Sequence, residues 1–242
     1  MVEIPVVFVH GIRLGGGCWI DVLDRVGARH PVCAVDLPGH GARRGERFDL
    51  ESAVDTVRRA IDDLGGHALV VGHSLGGYVG IATAARHGEK VSGLIVAGST
   101  CVPGRGLAVP FTIAHRLLAR RRDGGERISA RILDRMLPRR VAAEIERGGI
   151  ATEVIPDVVA AFGDFDVLAH LGGYAGPVWL VNGERDHFRI QERRFLAACS
   201  AGRLLLVPGA GHYLPLIRPD EFSRLVLDLA AGCRFRAEGV AG

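Results

Sequence analysis

Lysine is almost missing from this chain: Lys90 is the only one, and the other twenty-nine basic residues are arginine. Arginine codons are GC-rich and lysine codons are not, so a GC-rich genome explains the bias without invoking function. Charge of one sign is scarce too. Asp and Glu together number 27 and the net charge is only +3, which removes whole-protein electrostatics as an argument for nucleic acid. No apolar run approaches the roughly 20 residues that span a bilayer. The N-terminus enters an apolar run directly, without a basic segment before it, so no signal peptide is expected. The five cysteines (18, 33, 101, 199 and 233) are odd in number and form no C-x-x-C pair. That favours a reducing, cytoplasmic setting over a disulfide framework, with Cys18 and Cys33 as small buried hydrophobes. No His/Cys/Asp cluster has metal-ligand spacing, and Gly11–Gly17 is not G-x-G-x-x-G feeding a helix. Neither a metal nor a cofactor is expected.

What is present has the scale of one globular domain: 242 residues, 48% hydrophobic and 24% charged. Short apolar runs alternate with amphipathic stretches, which argues a parallel sheet covered by helices. Strands are expected at 4–9, 31–35, 68–73, 92–97, 177–182 and 203–207. Helices are expected at 18–28, 50–64, 75–87, 189–199 and 219–231. Residues 101–173 break this rhythm. They show no convincing strand and four helical patterns, near 107–122, 126–136, 138–147 and 151–162. The chain therefore divides into a core, 1–100 with 174–242, and a helical insertion, 101–173.

The most informative run is Gly72-His73-Ser74-Leu75-Gly76, a G-x-S-x-G. The β-branched stretch before it and the helical stretch after it, starting near Tyr78, put Ser74 on a sharp strand-to-helix turn. Such a turn needs small residues on both sides and lifts the hydroxyl above the sheet. Three other segments follow strands: His10-Gly11, then Asp36-Leu37-Pro38-Gly39-His40-Gly41, then the pair Asn182-Gly183-Glu184-Arg185-Asp186 and Gly209-Ala210-Gly211-His212.

Together these segments resemble the α/β-hydrolase superfamily over nearly the whole chain. The resemblance implies an α/β-hydrolase fold, a mostly parallel sheet flanked by helices, with a helical lid inserted after the sixth strand. It also implies a chain order of Ser, then acid, then His. Ser74 is the expected nucleophile. Of the later histidines, His87 leaves on the elbow helix, His115 and His170 lie in the lid region, and His187 adjoins the acid. His212, in a Gly-rich loop after a strand, is the expected base. Asp186 is the expected acid and Glu184 its nearest rival. Asp164 and Asp166 read as helix-capping or solvated, and the family's alternative acid position reads Gly98-Ser99-Thr100, without a carboxylate. By family analogy the backbone N–H groups of Leu75 and Ile12 form the oxyanion hole. His10, Trp19 and Tyr78 are candidate pocket residues, although His10 reads first as a loop prop and Trp19 first as core. His73 and His40 read as structural.

Gly15-Gly16-Gly17-Cys18-Trp19 is similar to the G-x-x-C-W stretch of the methylesterase and hydroxynitrile-lyase group. The lysine those lyases use near the histidine is absent. A serine at the elbow also argues against the epoxide hydrolases and dehalogenases of this fold, which attack with aspartate. The expected function is hydrolysis of a small or mid-sized apolar carboxylic ester or thioester through an acyl-enzyme. The alternatives are a non-hydrolytic enzyme using the same triad (elimination, lyase or cyclisation) and a binding module that has lost catalysis. In the lid, Arg127, Arg131, Arg135 and Arg139 recur every fourth residue, and ten arginines face five acids between 116 and 147. This stripe could receive an acidic carrier protein or a carboxylate-bearing substrate, or be a solvated helix face.

Overall fold

A computed structural model describes residues 3–233. Six strands form one sheet: β1 (Val6–Val9), β2 (Val32–Val35), β3 (Ala68–His73), β4 (Val91–Ala97), β5 (Pro177–Gly183) and β6 (Ala201–Val207). Their order is β2-β1-β3-β4-β5-β6, and all five pairings are parallel. The expected strands match to within two residues at each end. They were readable because parallel strands covered on both faces become continuous apolar runs.

Side chains alternate between two cores. Val7, Val9, Val70 and Leu180 face one, with helices α2 (Leu50–Asp63), α3 (Leu75–Arg86), α8 (Val167–Gly173) and α9 (Glu192–Ala198). Val6, Phe8, Val71 and Ile95 face the other, with α1 (Ile20–Gly27), the short α10 (Leu214–Ile217) and α11 (Pro219–Gly232). The chain winds outward one way from β1 to β2 and the other way from β3 to β6. The carboxyl ends of β1 and β3 thus flank a topological switch point, where ligands bind in open sheets of this kind.

Between β4 and β5 run α4 (Arg105–Leu118), α5 (Glu126–Met136), α6 (Arg139–Gly148) and α7 (Ile155–Ala161). This helical insertion follows the fourth strand of the described sheet, the position that the family resemblance counts as after the sixth. It straddles both layers: Leu133, Leu137, Val141 and Ile145 join the core around α1, and Val154, Val158 and Phe162 join the core around α2 and α3. Helix α8 was not expected as a separate element. Asp166 caps it by accepting from Ala169 N–H at 3.1 Å, and it packs on α3 and α9 beside the sheet. Arg44 reaches from the core to the insertion and holds both Glu126 and Glu153. No helix among the described residues is long and apolar enough to cross a membrane.

Candidate active site

Ser74 sits between β3 and α3 with φ 53° and ψ −116°, one of two described non-glycine residues with positive φ. L-residues avoid that region, so the surroundings must enforce it. The flanking glycines show how. A Cβ on Gly72 would stand 2.2 Å from the Gly76 carbonyl oxygen, and one on Gly76 2.1 Å from that of Val9. The turn is pinned from below: Ser74 N–H donates to Ala97 O at 2.9 Å, and Ser99 Oγ donates to Ser74 O at 2.7 Å.

The loop after β5 carries Asp186, whose side chain is 1% exposed. Its carboxylate accepts from His212 Nδ1 at 3.1 and 3.2 Å and from Phe188 N–H at 2.8 Å. Burial pushes the Asp186 carboxyl up; His212 and the Phe188 amide outweigh it and hold the group below the usual carboxylate range. The ring of His212 lies 4.8 Å from that of His73, the neighbour of Ser74. Gly98 (φ +63°) closes the gap between the loops: a Cβ there would be 2.9 Å from Asp186 Oδ2 and 3.0 Å from His212 Nδ1. Ser74 and His212 are not hydrogen-bonded to each other in this structure, and His212 uses Nδ1 for Asp186. The arrangement can hold an imidazole in the Nδ1–H tautomer, leaving Nε2 free to take a proton.

Ser74 lies in a cavity of about 340 Å³ that is also lined by Ile12, Leu75, Tyr78, Gly98, Phe162 and Phe188. The Leu75 N–H opens α3 and so has no partner inside that helix. A second cavity of about 760 Å³ adjoins it, sharing Ile12, Phe111 and Phe188 as walls. The Phe111 and Phe188 rings stack at 6.1 Å along the shared wall.

A family model described as the alpha/beta hydrolase family matches residues 6–225. The chain belongs to that family. A pimeloyl-[acyl-carrier protein] methyl ester esterase of Yersinia pseudotuberculosis is 27% identical over 243 residues, covering 94% of this chain and 93% of that one. An enzyme of the same description from Neisseria meningitidis is 42% identical over 95 residues, but the match spans only 39% of this chain and 36% of that protein. Among solved structures, an enol-lactonase from Burkholderia xenovorans LB400 superposes with a TM-score of 0.79 at 20% identity, covering 96% of this chain and 92% of the other. A thermophilic esterase from Thermogutta terrifontis gives 0.78, also at 20%, covering 96% and 90%.

In this α/β hydrolase the structure brings together Ser74, Asp186, His212, Leu75, Ile12 and Tyr78. Two pocket candidates fall elsewhere. Trp19 is fully buried, 5.1 Å from Phe8 and 6.0 Å from Phe222, and lines neither cavity. Its large apolar ring fills the core between the sheet and α11. His10 is also fully buried. Leu37 N–H donates to its Nε2 at 3.1 Å, so its proton sits on Nδ1 and is donated to Gly11 O at 2.8 Å. It props the loop. Glu184 is exposed and accepts from Gly209 N–H at 2.9 Å, away from the His212 ring's partner.

Three residues carry more than the sequence suggested. His73 Nε2–H donates to the His212 carbonyl at 2.9 Å, tying the histidine loop to the elbow. Burial lowers its pKa to about 3, helped by the neighbouring His212, so the ring stays neutral. Ser99 buttresses Ser74, and Thr100 receives Asn182 Nδ2–H at 2.9 Å and donates to Phe188 O at 3.2 Å, steadying the acid loop. Position in the G-x-S-x-G motif was the only available signal for His73, and that position is variable.

Proposed function

We propose that this chain is a serine esterase that cleaves carboxylic esters through an acyl-enzyme on Ser74. The Asp186–His212 pair beside a strained serine turn, on the floor of an apolar cavity, carries the reading. His212 takes the Ser74 proton as the hydroxyl attacks, then returns it to the leaving alcohol. Asp186 holds the ring and stabilises the imidazolium. The N–H groups of Leu75 and Ile12 receive the oxyanion. Water then attacks the acyl-enzyme by the same route. Helices α4–α7, within the 101–173 insertion, act as the lid, and the scattered cysteines fit a cytoplasmic address. Labelling of Ser74 by a fluorophosphonate, lost in Ser74→Ala, together with turnover of a p-nitrophenyl ester series, tests the assignment.

The esterase names of the relatives support hydrolysis over the non-hydrolytic alternative, and they extend the reading to a carrier-bound ester. Arg127, Arg131 and Arg135 are exposed on α5 and pair with no carboxylate among the described residues. Their neighbours Ile132 and Met136 line the larger cavity. A cationic row beside that cavity suits an acidic carrier presenting an acyl arm.

A further inference from the structure

Arg13 follows Ile12 directly, at the junction of the two cavities, and lines only the larger one. It is the second non-glycine residue with positive φ (71°), so the loop accepts strain at this position as it does at Ser74. Its Nη2 donates to Ser129 Oγ and, at 3.2 Å, to Thr152 Oγ1, both neutral acceptors on the lid segment. Its Nε is sealed from solvent without a hydrogen-bond partner, and Nη1, which is not sealed, makes no hydrogen bond among the described residues, so Nη1 is the donor left for a ligand. Among the described residues no carboxylate lies within ion-pair distance of Arg13. Glu153, whose charge Arg13 senses, is already held by Arg44 together with Glu126. Burial pushes the Arg13 pKa down, the sign of a cation that has lost water without gaining a counter-ion.

A part-buried guanidinium with a spare donor is costly to maintain for packing alone. A neutral side chain could bridge Ser129 and Thr152 without that cost. The rest of the cavity wall is mainly apolar, with Leu133, Ile150 and Ile155 buried and Ile132 and Met136 half-exposed at its rim, so the Arg13 charge stands out on it. There a carboxylate would gain a charge-assisted hydrogen bond. The phenol of Tyr213 lines the same cavity close enough to feel the Arg13 charge.

We propose that Arg13 is a carboxylate-binding subsite in the larger cavity, and that the preferred substrates are half-esters: an ester carbonyl at Ser74 and a free carboxylate, carried on the same aliphatic chain, at Arg13. This rests on the esterase reading, not on its extension to a carrier-bound ester, and adds the substrate class to it. The Phe111–Phe188 stack and Ile12 form the apolar neck over which the chain passes, so the spacing between the two functional groups is selected as well as the charge.

The test compares monomethyl and dimethyl esters of the straight-chain diacids from succinic to sebacic acid. Each pair shares a chain and an ester and differs in one charge. In the wild type, kcat/KM for the monomethyl ester, corrected for its single ester group, is expected to exceed that of the diester by about 10-fold to 100-fold at the best chain length. Arg13→Gln should abolish the preference through KM, and Arg13→Lys should keep part of it. Uniform losses for both ester classes in Arg13→Gln would mean that Arg13 is only a strut between the loop and the lid, and would overturn the subsite. A wild type that does not prefer the monoester at any chain length overturns it without any variant, so the test does not depend on the variant folding. Because the diester reports ester hydrolysis independently, failure of the subsite and failure of the esterase reading are distinguishable.

Discussion

Helix α3, which leaves the Ser74 turn, buries its first ten residues, Leu75 to Ala84. Helix α4, the first of the insertion, contains comparable apolar residues and exposes them: Val109, Ile113 and Leu117 are 52%, 52% and 56% accessible. Helix α5 repeats this with Ile132 and Met136, at 50% and 46%. In the core, an apolar residue means packing. In the insertion, i, i+4, i+8 spacing gives a helix without saying which face is covered. Exposed apolar rows of this extent mark surfaces that meet something else. On the proposed reading, catalytic geometry belongs to the closely packed layer, and substrate selection to the layer whose apolar side chains remain uncommitted.

The largest effect should come from the closely packed layer. Ser74→Ala is expected to cut ester turnover by a factor of order 10⁴–10⁶, leaving only what the oxyanion hole and binding supply. The melting temperature should hold, since alanine keeps the Cβ and with it the strain of the turn, and the Ser74 hydroxyl supports no other element. Near-normal turnover in the purified variant would remove the serine mechanism and with it the division of labour.

Asp186→Asn comes next, at about 10⁴-fold, because an amide favours the wrong imidazole tautomer. Glu184→Gln should change activity only slightly, since that side chain faces solvent and keeps an acceptor for Gly209 N–H. The reverse ranking in steady-state kinetics would show that the acid had been misassigned. Gly98→Ala should fall between these, near 10²-fold, by displacing the Asp186–His212 pair by a fraction of an ångström and straining a φ of +63°. A variant with full activity would show the loops to be as adaptable as the lid.

How much was legible follows the same division. The strands, and the switch-point loops that carry Ser74, Asp186 and His212, were readable because each is a local signal: an apolar run followed by a turn residue. Trp19 was ambiguous because an aromatic after a Gly-rich loop fits a core or a pocket, and only Phe8 and Phe222 decide it. The role of Arg13 was invisible, since its partners Ser129 and Thr152 lie 116 and 139 residues away. No periodicity encodes a contact at that separation. Helix α8 was missed because it is short and is defined by its Asp166 cap and its packing on α3 and α9.

The buried histidines supply a stability test of the closely packed layer. Burial lowers both His10 and His73 to about 3, from an ordinary value of 6.5. The unfolded chain takes up these protons near 6.5 and the native state only near 3. Stability is therefore present above 6.5 and is lost as pH falls toward 3, by up to ~1.4 kcal/mol per pH unit for each ring. Denaturant titrations between these limits should show that slope, and His73→Gln, which keeps a donor for His212 O, should reduce it by about one proton. An unchanged slope would mean that His73 is already protonated or hydrated in the native state.

The smallest effect is expected in the lid. The arginines of α5 are exposed, so their attraction for a partner is screened over ~8–10 Å at physiological salt. Arg131→Glu with Arg135→Glu should raise KM for an ester presented on an acidic carrier by roughly 3-fold to 30-fold at low salt, since each reversed charge at an exposed site contributes on the order of 1 kcal/mol. A small neutral ester meets only the floor of the site, at Ser74 and His212, and its kinetics should not move. Added salt should reproduce the effect of the double variant on the wild type, because both weaken the same field. If carrier-bound and free esters respond alike at every salt concentration, the row is a solvated helix face. The exposed apolar residues beside it would then be all that remains to recruit a partner.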